Sequence, residues 1–71
     1  MNAPIPDMRS DLLGMSVPAY IADHLVARFR SGLTGFAAWF ALQDEARLDV
    51  FVARDLLIRH GHYPKPLDGV R

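Results

Sequence analysis

The chain contains no cysteine, which removes disulfide staples and thiolate metal ligation. It holds one lysine, Lys65, beside seven arginines. We read that imbalance as codon bias of a GC-rich genome rather than selection for interfaces. Charge of one sign is also lacking, since eight basic and eight acidic residues cancel. A neutral chain makes no bulk electrostatic case for nucleic acid or for an anionic membrane. Long hydrophobic runs are missing too. The longest, Phe36 to Leu42, falls far short of the roughly 20 residues a membrane span needs. The start MNAPIPDMRSD lacks a basic segment followed by an apolar one, so no signal peptide is expected. These absences together predict a soluble, cytoplasmic protein.

Catalytic signatures are equally scarce. No glycine loop able to cradle phosphate occurs, and no serine lies in a Gly-x-Ser-x-Gly context. Ser10, Ser16, Ser31 and Thr34 occupy cap or turn positions. Asp44 and Glu45 are adjacent, so on a helix they diverge rather than converge on one substrate. His60-Gly61-His62 offers two imidazoles, whereas a zinc site takes four ligands or three and a water. His24 is the only other histidine, with Asp55 and Asp68 as possible carboxylate ligands. The pattern reads as a helix end followed by a tail, with His60 placed for a pH-sensitive contact. No catalytic, metal-binding or cofactor residue is assigned, and no enzyme activity is expected.

What the chain does have is apolar side chains, 51% of its 71 residues. A chain this short is one small helical domain, residues 1–71, and its core is marginal unless something else completes it. No strand pattern, repeat or low-complexity segment is visible. Pro4 and Pro6 mark an extended arm over residues 1–6, and HYPKPLDGVR an extended tail over 62–71. Both segments are of a kind that docks into aromatic grooves, but they read more simply as ends. Asp7 is a cap for one short turn through Met8, Leu12 and Leu13, with Gly14 as its stop. A short helix of about residues 17–31 follows, with Pro18 in its first turn. Ile21, Leu25 and Phe29 recur on its apolar face. Arg28 and Arg30 suit its C-terminal end, and Gly32 supplies the stop.

Thr34 then caps a long helix of about residues 35–60, ended by Gly61. The connection is short, so the two helices form an antiparallel hairpin. Its core is expected to hold Ile21, Leu25, Phe29, Phe36 and Phe40; the alternative reading of the cluster Phe36, Trp39 and Phe40 is a hot-spot patch for a partner. The long helix carries two apolar stripes. Trp39, Leu42, Ala46, Val50, Ala53 and Leu57 recur every three or four residues as one seam. Ala37, Phe40, Ala41, Leu48, Phe51, Val52 and Ile58 form the other, interrupted by Asp44, Asp55 and Arg59.

At 1.5 Å per residue the long helix spans about 39 Å and the short one about 21 Å. Residues 48–58 are therefore left uncovered. Either the N-terminal segment, with Met8, Leu12, Leu13 and Met15, folds over them, or a second copy completes a helical bundle. The expected fold is all-α, a helical hairpin completed by dimerisation. Trp39, Leu48, Phe51, Val52, Asp55, Ile58 and Arg59 would form the partner or dimer interface. If two long helices crossed antiparallel near Phe51 and Val52, Asp44 of one would approach Arg59 of the other. The simpler reading makes Asp55 and Arg59 an ordinary surface pair.

The expected function is a non-enzymatic protein–protein interaction module: a small inhibitor, adaptor or accessory subunit, of the kind phages and plasmids encode. Its partner is itself, as a homodimer, or a larger protein. The alternative is a small helical DNA-binding regulator. Arg47 and Arg54 lie seven apart, and a glycine sits in the turn. However, the first turn of the second helix, GFAAWF, carries no side chain able to read a base edge. A membrane-surface helix is weighed against by the sparse flanking basic residues.

Overall fold

The computed structural model describes residues 7–63. They form four α-helices: α1 (Met8–Gly14), α2 (Ala19–Arg30), α3 (Gly35–Asp44) and α4 (Val50–His60). There is no strand among the described residues. The expected arm 1–6 and tail residues 64–71 lie outside them.

Local chemistry explains the helix boundaries. Asp7 caps α1 as expected, its side chain accepting the Ser10 amide at 2.8 Å. Gly14 is not the stop. It is the last helical residue, and Ser16 takes the left-handed conformation, φ 67°. Around Ser16 the Val17 amide donates to Leu12 O and the Ser16 amide to Leu13 O, both at 3.0 Å. That pair of bonds is the Schellman closure, made here without glycine. Glycine makes the same closure after α2 and α4. Leu33 N donates to Arg28 O at 2.9 Å across Gly32, and His62 N to Leu57 O at 2.8 Å across Gly61. Pro18 lies one position outside α2, and its carbonyl accepts from Ile21 N and Ala22 N. Thr34 occupies the N-cap position of α3 but its side chain makes no cap bond. Its hydroxyl instead donates to His62 O at 3.2 Å, and the Gly35 amide reaches the same carbonyl at 2.9 Å. The start of α3 is thereby tied to the end of α4.

The long helix expected over residues 35–60 is broken. Residues 45–49 leave the helix, and Arg47 turns left-handed, φ 59°. Asp49 then starts α4, accepting the Phe51 amide at 2.9 Å. The physical reason lies in the length mismatch. A continuous helix would strand its C-terminal half without cover, whereas the fold-back lays α4 against α3 and buries Ala53, Leu56 and Leu57. One bond shows the geometry directly. Trp39 Nε1 donates to Val50 O at 2.9 Å, yet eleven residues along an unbroken helix would hold them about 16 Å apart.

α1 packs on α2, α2 meets α3, and α3 packs on α4, in a bundle-like arrangement. The ring is closed by His60 at the end of α4, whose Nε2 lies 2.6 Å from Asp11 Oδ2 of α1, with both side chains nearly buried. Glu45, just after α3, pairs with Arg28 of α2, and His24 Nε2 lies 3.5 Å from it. The core inside is Met8, Leu12, Val17, Ala22, Leu25, Phe29, Ala38, Ala41, Leu42, Ala46, Ala53, Leu56 and Leu57, with no buried polar or charged residue among those described. The N-terminal segment contributes Met8 and Leu12 to this core through its packing on α2, while Leu13 and Met15 stand exposed.

Candidate interaction surface

The hairpin-core expectation divides. Leu25 and Phe29 are buried, and Ile21 packs against the core half-buried. Phe36 and Phe40 are not in the core. They stand 61% and 59% exposed, and Phe51 on α4 is 62% exposed. Three of the four phenylalanines in the chain therefore lie outside, while five alanines lie inside.

Helical geometry groups Phe36 with Phe40 on the outer side of α3, and Phe51 with Ile58 on the outer side of α4. At about 100° per residue, Phe36 and Phe40 fall within about 40° of each other on α3. The buried Ala38, Ala41 and Leu42 take the opposite side. On α4, Ile58 falls within about 20° of Phe51, opposite Ala53, Leu56 and Leu57. The two outer faces are joined by Trp39. Its ring stacks on Phe36 with centroids 6.2 Å apart, and its N–H reaches Val50 O, beside Phe51. Tyr63 meets the indole edge-on at 5.4 Å. Arg54 lies over the Phe51 ring, 5.6 Å from its centroid, a cation–π contact. Its Nε is buried without a hydrogen-bond partner among the described residues.

The expected interface residues scatter around this surface. Phe51 and Ile58 lie on it, with Asp55 between them, exposed and 3.6 Å from Arg54. Trp39 is its half-buried joint. Val52, 39% exposed, lies about 100° round the helix from Phe51. Leu48 belongs to the linker and packs against the core. Arg59 turns toward Asp11, at 3.6 Å, and not toward Asp55. The antiparallel crossing that would pair Asp44 with Arg59 needs one straight helix, and the break at 45–49 removes it. Phe36 and Phe40 complete the face. The only sequence signal for them was their spacing of four beside Trp39, which a core helix shares.

A concavity of about 370 Å³ lies between α1, α2 and the end of α4, lined by Met8, Val26 and Phe29 with Arg9, Arg30 and His62 among its polar residues. Arg9 and Asp7 in its lining are partnered. Arg9 Nε lies 2.6 Å from Asp23, which raises the Arg9 pKa, and the Ser10 amide holds Asp7 below the usual carboxylate range. His60 and His62 diverge, one to Asp11 and the other onto the Phe29 ring at 4.8 Å. Among the described residues no cluster of three metal-ligating side chains occurs, and no helix is long and apolar enough to cross a membrane. α3, the second helix of the turn considered for DNA reading, presents Phe36 and Phe40, which have no group to hydrogen-bond a base edge. No family model, curated protein or solved structure matches this chain.

Proposed function

We propose that this protein is a non-enzymatic interaction module, acting as a small inhibitor, adaptor or accessory subunit that docks a protein through the outer face of α3 and α4. One observation carries the reading. An apolar core is closed beneath, yet Phe36, Phe40 and Phe51 stand more than half exposed above it. Large aromatics bordered by charge, here Arg54 and Asp55, are the composition of a binding hot spot with its polar rim. Leaving three such rings in water forgoes roughly 1.5 to 3 kcal/mol each, which a partner recovers.

A photo-crosslinking residue at Phe40 tests this in the cells that make the protein, with Ala27, exposed on α2, as the control position. The expected result is an adduct of discrete mass from position 40 alone, lost when Phe51→Asp is added. No adduct, or equal adducts from both positions, would refute it.

A further inference from the structure

We infer that the break at residues 45–49 is a hinge through which two copies of the chain exchange α4, residues 35–60 of each copy straightening into one helix. The inference stands apart from whatever docks on the outer faces of α3 and α4. It starts from the hinge itself. Glu45, Ala46, Arg47, Leu48 and Asp49 include no glycine or proline, and the first four are strong helix formers. Yet Arg47 is held at φ 59°, a conformation that strains a residue with a Cβ. Straightening relieves that strain in both copies. A short hinge under strain is the setting in which copies exchange an identical element.

The second argument is phase. Leu42, Ala46, Val50, Ala53 and Leu57 keep helical spacing straight through the hinge, so one continuous helix holds its apolar side in register. The chain bends to cover Ala53, Leu56 and Leu57 of α4, and α3 of a second copy offers the same cover. The third is the pairing across the hinge. Trp39 bonds to Val50 O, and Thr34 and Gly35 bond to His62 O. The midpoints of these pairs in sequence fall between residues 44 and 49. Two straight helices crossing antiparallel at the hinge, and not at Phe51 and Val52, bring the same pairs together between copies. The tie of His60 to Asp11 is remade in the same way. The exchange therefore reuses the contacts that the monomer closes on itself.

Refolding from urea at on the order of 1 mM, followed by light scattering after size exclusion and by spin-label distances, tests the inference. The labels are attached at Ala37→Cys and Ile58→Cys, both exposed positions in a chain without other cysteines. Labelled chain is diluted into excess unlabelled chain, so that only the distance within one chain is read. Refolded wild type is expected to yield a species of twice 7.9 kDa. In it the distance should be about 32 Å, the rise over roughly 21 helical residues. The monomer should give a shorter one, because its α3 and α4 pack on each other. Arg47→Ala should dimerise more tightly than Arg47→Gly by roughly a thousandfold, a factor of about thirty at each of two hinges. Position 47 is exposed, so both variants should keep the far-UV helix signal. A wild type found only at 7.9 kDa overturns the exchange. So does a dimer that keeps the short distance of the monomer, which two copies docked by their outer faces would give. A glycine variant that dimerises as tightly as the alanine variant overturns it as well.

Discussion

Replacing Arg47 by glycine and, separately, by alanine tests the break between α3 and α4. Arg47 holds φ 59°, and for a residue with a Cβ that conformation costs about 1–2 kcal/mol. Glycine escapes the cost but loses about 0.5–1 kcal/mol more backbone entropy on folding. The glycine variant should therefore be more stable than the alanine variant by about 1 kcal/mol. Comparing these two variants with each other cancels the loss of the arginine charge. Were residues 35–60 one helix, the sign would reverse, because glycine in a helix interior lies about 1 kcal/mol below alanine. The two structures thus differ by roughly 2 kcal/mol in this one comparison. For a domain of this size each kcal/mol moves Tm by about 4–8 °C. Thermal melts at one fixed low concentration suffice, and Arg47→Gly melting below Arg47→Ala would sink the broken-helix argument.

Other substitutions probe the caps, the core and the face. Asp49→Ala removes the acceptor of the Phe51 amide and should cost about 1 kcal/mol in urea unfolding; no loss would mean that α4 starts without this cap. Leu57→Ala empties a fully buried site and should cost about 2–5 kcal/mol. Phe36→Ala, at 61% exposure, should leave the stability of the dissociated chain within about 0.5 kcal/mol; a loss as large as that of Leu57→Ala would return Phe36 to the core. The Asp7 pKa is lowered by the Ser10 amide, so its stabilisation is complete above the unfolded-state value and is lost as pH falls through the lower folded value. Asp7→Asn should flatten that part of the acid limb of Tm against pH, and an unchanged limb would exclude the contribution.

The sequence made some boundaries legible because their chemistry is local. Asp7, Gly32 and Gly61 each announce a helix end through a single residue type, and each occupies a helix end in the structure. The break at 45–49 carries no glycine or proline. The seam Leu42, Ala46, Val50, Ala53 and Leu57 keeps helical phase straight through it, so periodicity alone joins α3 to α4. The one available signal was Asp49 ahead of Val50 and Phe51, an N-cap ahead of an apolar run. Most of the seam is buried as its pattern implied, Val50 excepted, but against a helix folded back from the same chain. Phe36 and Phe40 were misplaced for a related reason. Their pairing with Trp39 looks alike on an inner and an outer face, and only the position of α4 decides which face is inside.

The same fold-back leaves α4 dependent on two attachments at its C-terminal end. One is the carbonyl of His62, held by Thr34 and Gly35. The other is His60 against Asp11, 2.6 Å apart, with side chains 12% and 11% exposed. Among the described residues, polar bonding joins α4 to α1 at Asp11, whose carboxylate also lies 3.6 Å from Arg59. A hydrogen bond to a charged group contributes about 1.5–3 kcal/mol when it is shielded from water. A double-mutant cycle with His60→Ala and Asp11→Ala should then return a coupling of about 1–2 kcal/mol. Either single change should also speed amide exchange in α1, because a helix of seven residues does not persist without its packing. Zero coupling with α1 exchange unchanged would show that Met8 and Leu12 hold α1 by apolar contact alone, and that the ring of four helices is closed without its polar tie.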